Sequence, residues 1–97
     1  MTARIEVRCV EDNDPLRFEV HVHEGAGTTC HEVTMKRTEF ENLAASALAP
    51  ARCIEAAFRF LLDREPKGAI LARFDVAIIA DYFPDFSREF PRYLASR

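Results

Sequence analysis

His21 and His23 alternate with valines in the stretch Arg17-Phe18-Glu19-Val20-His21-Val22-His23, and an extended chain at that spacing puts both imidazoles on one side. A second stretch rich in β-branched residues, Thr28 to Met35, follows after Glu24-Gly25-Ala26-Gly27, a link short enough to fold the two into a hairpin. If Phe18, Val20 and Val22 share a face with Val33 and Met35, the pairing sends Cys30, Glu32 and Thr34 to the histidine side, because cross-strand partners point the same way. Two imidazoles, a thiol and a carboxylate, from His21, His23, Cys30 and Glu32, then gather on one face. Such a donor set ligates zinc, and with one coordination position open the ion activates water, which is the chemistry of a metal-binding protein or a small metal-dependent hydrolase. The spacing follows no established zinc motif. The wet face of an antiparallel sheet accounts for the same residues with no further role. No cofactor besides zinc is implied.

Other chemistry is thinner. Asp12-Asn13-Asp14 offers oxygens to a hard cation but lacks the Gly and the distant Glu of a calcium loop, so it reads as a turn. Lys67-Gly68 has no phosphate-loop motif around it and reads as a helix terminator. His31 falls on the side of Val33, where a hydrogen-bonded, partly buried imidazole is more common than a catalytic one. No nucleophile comes with a defensible base, so no catalytic residue is assigned.

The elements that must position these groups are legible along the chain. Ile5, Val7 and Cys9 alternate with Arg4, Glu6 and Arg8, and Glu11-Asp12-Asn13-Asp14-Pro15 ends that strand. Strands are expected at about 3–10, 17–23 and 28–36. Thr38 with Glu41 three residues on reads as a capping box opening a helix over about 39–48, with Phe40, Leu43, Ala44, Ala47 and Leu48 at helical spacing. Pro50 suits the first turn of a second helix, about 51–64, with Ile54, Ala57, Phe58, Leu61 and Leu62 as its stripe and Pro66 as its stop. A short helical turn at about 69–73 and a helix over about 76–83, capped by Asp75 and stopped before Pro84, complete the chain. Strands followed by helices predict an α+β fold: a three-stranded antiparallel meander and three to four helices packed on one face, as a single domain over 1–97.

Composition bounds the rest. The chain has 97 residues, 48% hydrophobic and 30% charged, which excludes wholesale disorder. Its 13 basic and 16 acidic side chains, net −3, are scattered without a run, so binding to nucleic acid through clustered Lys and Arg is not expected. Arg4, Arg8 and Arg17 give at most a modest stripe on the sheet for an antitoxin-like regulator. Three cysteines cannot all pair within the chain and none forms a Cys-x-x-Cys, which points to a reducing, cytoplasmic setting. No stretch approaches the apolar length of a membrane span, and the N-terminal alternation is not that of a signal peptide.

The stretch from Phe58 to Phe90 is too apolar on too many sides for so small a protein. Val76, Ile79, Ala80 and Phe83 form one helical stripe, while Ile78 and Tyr82 form a second, about a third of a turn away. Either the tail with Phe86, Phe90, Tyr93 and Leu94 wraps over the second stripe, or Ile78, Tyr82, Phe86 and Phe90 form an exposed contact surface. The second alternative describes an interaction module that is homodimeric or bound to another protein.

Phe60-Leu61-Leu62-Asp63-Arg64-Glu65-Pro66, then Ile70-Leu71-Ala72-Arg73-Phe74-Asp75-Val76, then Ile79 and Tyr82-Phe83-Pro84, together with Thr29-Cys30-His31-Glu32-Val33-Thr34, resemble a family of short bacterial proteins of unknown function. The resemblance implies a small bacterial cytoplasmic protein and carries no activity, cofactor or catalytic residue with it. The leading expectation is therefore a non-enzymatic protein-interaction module.

Overall fold

A computed structural model describes residues 3–43 and 49–95. Three long strands come first: β1 (Arg4–Glu11), β2 (Leu16–Glu24) and β3 (Gly27–Met35). They pair antiparallel in sequence order, and the β2–β3 hairpin closes over Gly25-Ala26, with Gly25 at φ +63° supplying the left-handed residue that a tight hairpin turn favours. Phe18 lies opposite Val33 and His21 opposite Cys30, so Leu16, Phe18, Val20, Val22, Val33 and Met35 all point to one buried face. On β1 that face fades: Ile5 is buried, Val7 half-buried and Cys9 exposed, and the ladder is bulged between Cys9 and Glu11.

Helix α1 (Arg37–Leu43) begins one residue before the expected capping box. Its start is held by the β1–β2 turn instead: Asp14 Oδ1 accepts from the Arg37 backbone N–H at 3.1 Å, and the Arg37 guanidinium donates to Asp12. The expected positions Ala44, Ala47 and Leu48 lie outside the described residues. Helix α2 (Pro50–Leu62) starts with proline in its first turn, where no intrahelical donor is lost. It buries Cys53, Ile54, Ala57, Phe58 and Leu61, and also Ala56 and Phe60 on a further ridge.

That extra ridge decides the rest of the architecture. The Phe60 ring meets Phe83, Phe86 and Tyr93 edge-on at centroid distances of 5.9, 4.9 and 5.7 Å, the geometry aromatic quadrupoles favour. Phe86 and Tyr93 belong to a fourth helix, α4 (Phe86–Ala95), in the segment read from sequence as a tail. Pro91 argues against a helix there, because it removes the donor for the Ser87 carbonyl; Ser87 and Pro91 are both exposed, so solvent can take that oxygen. Arg64 lies over the Phe60 ring at 3.8 Å and donates to Asp85 Oδ2 at 2.6 Å, while the Tyr93 hydroxyl donates to Asp63 Oδ2 at 2.5 Å. These contacts tie the end of α2 to α4.

The segment between Pro66 and Phe83 departs from expectation at one point. A 3-10 turn (Lys67–Ala69) is followed by a short fourth strand, β4 (Arg73–Asp75), which pairs parallel with β3 in place of the helical turn expected at about 69–73. Pairing is possible because α2 returns the chain to the β3 edge, a long-range event with no local sequence mark. Asp75 then caps the next turn as expected, accepting from Ala77 N at 2.9 Å, and a 3-10 turn (Val76–Ile78) leads into α3 (Ile79–Tyr82). The fold is α+β, with a four-stranded sheet in the order β1-β2-β3-β4 and helices over one face.

Candidate functional site

The solvent face of the sheet is assembled by register. Across β2, Arg8 and Glu32 flank Glu19, Glu6 and Cys30 flank His21, and Arg4 and Thr28 flank His23; on β4, Arg73 lies opposite Glu32 and Asp75 opposite Thr34. All four sequence-derived donors thus share one face, but they do not converge on one point. His23 is engaged at both nitrogens, 3.0 Å from Glu6 Oε1 and 3.0 Å from Thr28 Oγ1. Glu32 accepts from Arg17 at 2.5 Å and lies 3.4 Å from Arg73 Nε. His23 and Glu32 therefore drop out of the cluster, each held by one partner directly across the sheet, Thr28 or Arg73, and one displaced along it, Glu6 or Arg17.

His21 and Cys30 remain together, and the third member is Glu19. One ligand atom from each lies within 4.8 Å of the other two. The Arg8 guanidinium engages Glu19 Oε1 and holds this carboxyl below the usual carboxylate range, while Glu19 Oε2 faces His21 Nε2 at 4.0 Å. Glu19 carried a signal in the sequence, since it is two residues from His21 on the same alternation. Beside this triplet is an open hollow of about 440 Å³ whose mixed lining includes Arg8, Val10, Arg17, Glu32, Ala72 and Arg73, with Glu19 and Cys30 at its edge toward His21. Arg4, Arg8, Arg17 and Arg73 each stand against a carboxylate, so the arginine stripe on the sheet is locally neutralised.

His31 points to the opposite face, only 3% exposed, against the Phe58 ring at 5.2 Å. Its Nδ1 lies 2.7 Å from the Leu71 carbonyl oxygen, which can only accept, so Nδ1 carries the proton. Nε2 is then free to accept from the Thr29 hydroxyl at 2.8 Å. Both ring nitrogens are thus used up in pinning the Leu71 segment to β3, a structural role that leads directly into β4.

The second surface lies beyond β4. Leu61, Ile70, Phe74, Ile79 and Phe83 build a shallow apolar groove, about 20 Å³ in volume, whose rim is Leu71, Ile78 and Tyr82, with Glu65 at its edge. Tyr82 is 66% exposed and Leu71 45%, and Ile78 is half-buried. Phe86 and Phe90, expected to extend this surface, are each only 1% exposed. They are core because α4 folds back over Phe60, so the tail covers α2 and leaves the Ile78–Tyr82 stripe open. Leu71 was not singled out in the sequence, where it sits in a segment read as a helical turn.

No helix among the described residues is long and apolar enough to cross a membrane. The chain matches no protein-family model, no curated protein and no solved structure.

Proposed function

We propose that this protein is a non-enzymatic interaction module that docks an apolar segment bearing Lys or Arg, supplied by another protein, in the groove rimmed by Leu71, Ile78 and Tyr82. The observation that carries the reading is the 66% exposure of Tyr82 beside an apolar groove, in a chain that buries its other large aromatics in whole or in large part. An aromatic side chain with two rotatable angles gives up little entropy when it is covered, and such residues concentrate at contact surfaces.

Charge selects the partner's chemistry. Glu65 lines the groove, and the exposed Asp81 on α3 lies about 60° from Ile78 in helical projection, beside the stripe that Ile78 and Tyr82 form. A twofold copy of this surface would bring like charges together, whereas a segment with basic residues beside its apolar anchors would be steered to it.

Selection of a random displayed peptide library on the wild-type protein, with the Tyr82→Asp variant as a counter-target, tests the reading. Enriched peptides should combine two or more large apolar residues with Lys or Arg, lose binding to Tyr82→Asp, and bind more weakly as salt rises. A library that yields nothing discriminated by Tyr82, or a chain that sediments as a dimer dissociated by Tyr82→Asp, would overturn it.

A further inference from the structure

We propose that Glu19, His21 and Cys30 form a binding site for zinc, held by three protein ligands with a fourth position open toward the arginine-rimmed hollow. The donors are a thiol, an imidazole and a carboxylate, a mixture that suits zinc and leaves magnesium and calcium, which take oxygen alone, poorly served. Metal–ligand lengths of about 2.0 to 2.3 Å at tetrahedral angles require donor atoms roughly 3.5 Å apart. The three donors lie within 4.8 Å of one another without an ion, so side-chain rotation of about an ångström closes the set.

The scaffold for that set is firm. His21 and Cys30 are direct cross-strand partners on the β2–β3 hairpin, and Glu19 is two residues along β2 on the same face. Arg8 occupies Glu19 Oε1 and leaves Oε2 on the His21 side, the arrangement in which an outer hydrogen bond orients a metal ligand. On binding, the Cys30 thiol gives its proton to solvent as the S–Zn bond forms. The hollow beside Glu19 and Cys30 leaves room for water in the remaining position. His23, tied to Glu6 and Thr28, stands outside the site. The site is on the sheet's solvent face, and it stands or falls separately from the groove beyond β4.

Cobalt(II) reports the ligands directly. Protein purified without metal-affinity steps and stripped with a chelator is titrated with Co(II), followed by Zn(II). The expected result is saturation at one equivalent with a sulfur-to-cobalt charge-transfer band, displaced by zinc. Cys30→Ser should abolish the band, and His21→Ala and Glu19→Gln should each weaken binding by at least the roughly 10-fold to 100-fold that even outer-shell changes cost. Cys9→Ser and His23→Asn should leave it unchanged. Failure of the wild-type protein to saturate at one equivalent would overturn the proposal. So would a band that survives Cys30→Ser, or one lost equally in Cys9→Ser or His23→Asn. All five side chains are on or near solvent, and far-UV circular dichroism identifies any variant that fails to fold.

Discussion

The sharpest test of which apolar residues are core and which are surface is the pair Phe86→Ala and Tyr82→Ser. Phe86 is 1% exposed, with its ring 4.9 Å from Phe60 and 5.0 Å from Phe90. Truncating a buried phenylalanine costs roughly 3 to 5 kcal/mol, because the transfer energy is lost and the cavity only partly collapses. Two ring contacts go with it, which favours the upper half of that range. A domain of this size has a total stability of about 5 to 15 kcal/mol, so the variant should lose a large fraction of it and melt on the order of 15–30 °C lower. Tyr82 is 66% exposed, so its replacement by serine should change stability by no more than about 0.5 kcal/mol. Urea unfolding followed by far-UV circular dichroism, at low protein concentration, measures both with a common slope. A loss under about 1 kcal/mol for Phe86→Ala would mean that α4 does not pack on Phe60. A Tyr82→Ser loss equal to that of Phe86→Ala would mean that Tyr82 is core. Either result refutes the assignment of the groove as the open surface.

Burial against Met35 and the other core residues pushes the Cys53 thiol up to about 12, so under roughly one in a thousand molecules carries the thiolate at pH 8. Iodoacetamide on the native protein should therefore modify Cys9 and Cys30, which are exposed, and reach Cys53 only in denaturant; mass spectrometry showing prompt native labelling of Cys53 would contradict this. The hydrogen bond from Arg64 holds the Asp85 carboxyl below its usual range. The unfolded chain then takes up this proton first as pH falls, so the contribution of the pair is complete above about pH 4 and is lost as pH drops through the lower folded-state value. Asp85→Asn should reduce the acid-side fall in the urea midpoint between about pH 5 and about pH 2, and an unchanged acid limb would contradict the pairing.

The strands were legible because their patterns are local. Period-two alternation in β1 and β2 and a short Gly-containing link are enough to predict a hairpin with His21 and Cys30 on one face, and the closed fold adds the register of Phe18 opposite Val33 and His21 opposite Cys30. The Pro50 start of α2 and the Asp75 cap were legible for the same reason, since each satisfies backbone groups within a turn of itself. The start of α1 was misplaced because its cap comes from Asp14, more than twenty residues back. β4 was missed because three residues carry too little pattern, and α4 because Pro91 argues locally against a helix that Phe60 holds in place from afar.

For the two candidate surfaces the division is similar. Sequence alone put His21, His23, Cys30 and Glu32 on one solvent face, with Glu19 on the same side of its strand, and showed that the Phe58 to Phe90 stretch has more apolar area than one helix face can bury. Tertiary structure decided which of those groups meet. Arg17 and Arg73 draw Glu32 away, Glu6 and Thr28 hold His23, and α4 takes Phe86 and Phe90 into the core while Tyr82 stays in solvent. The physical reason is that facing direction follows from backbone period, a property of each strand or helix alone. Partnership depends on which distant side chain arrives within hydrogen-bonding or packing distance, and only the closed fold determines that.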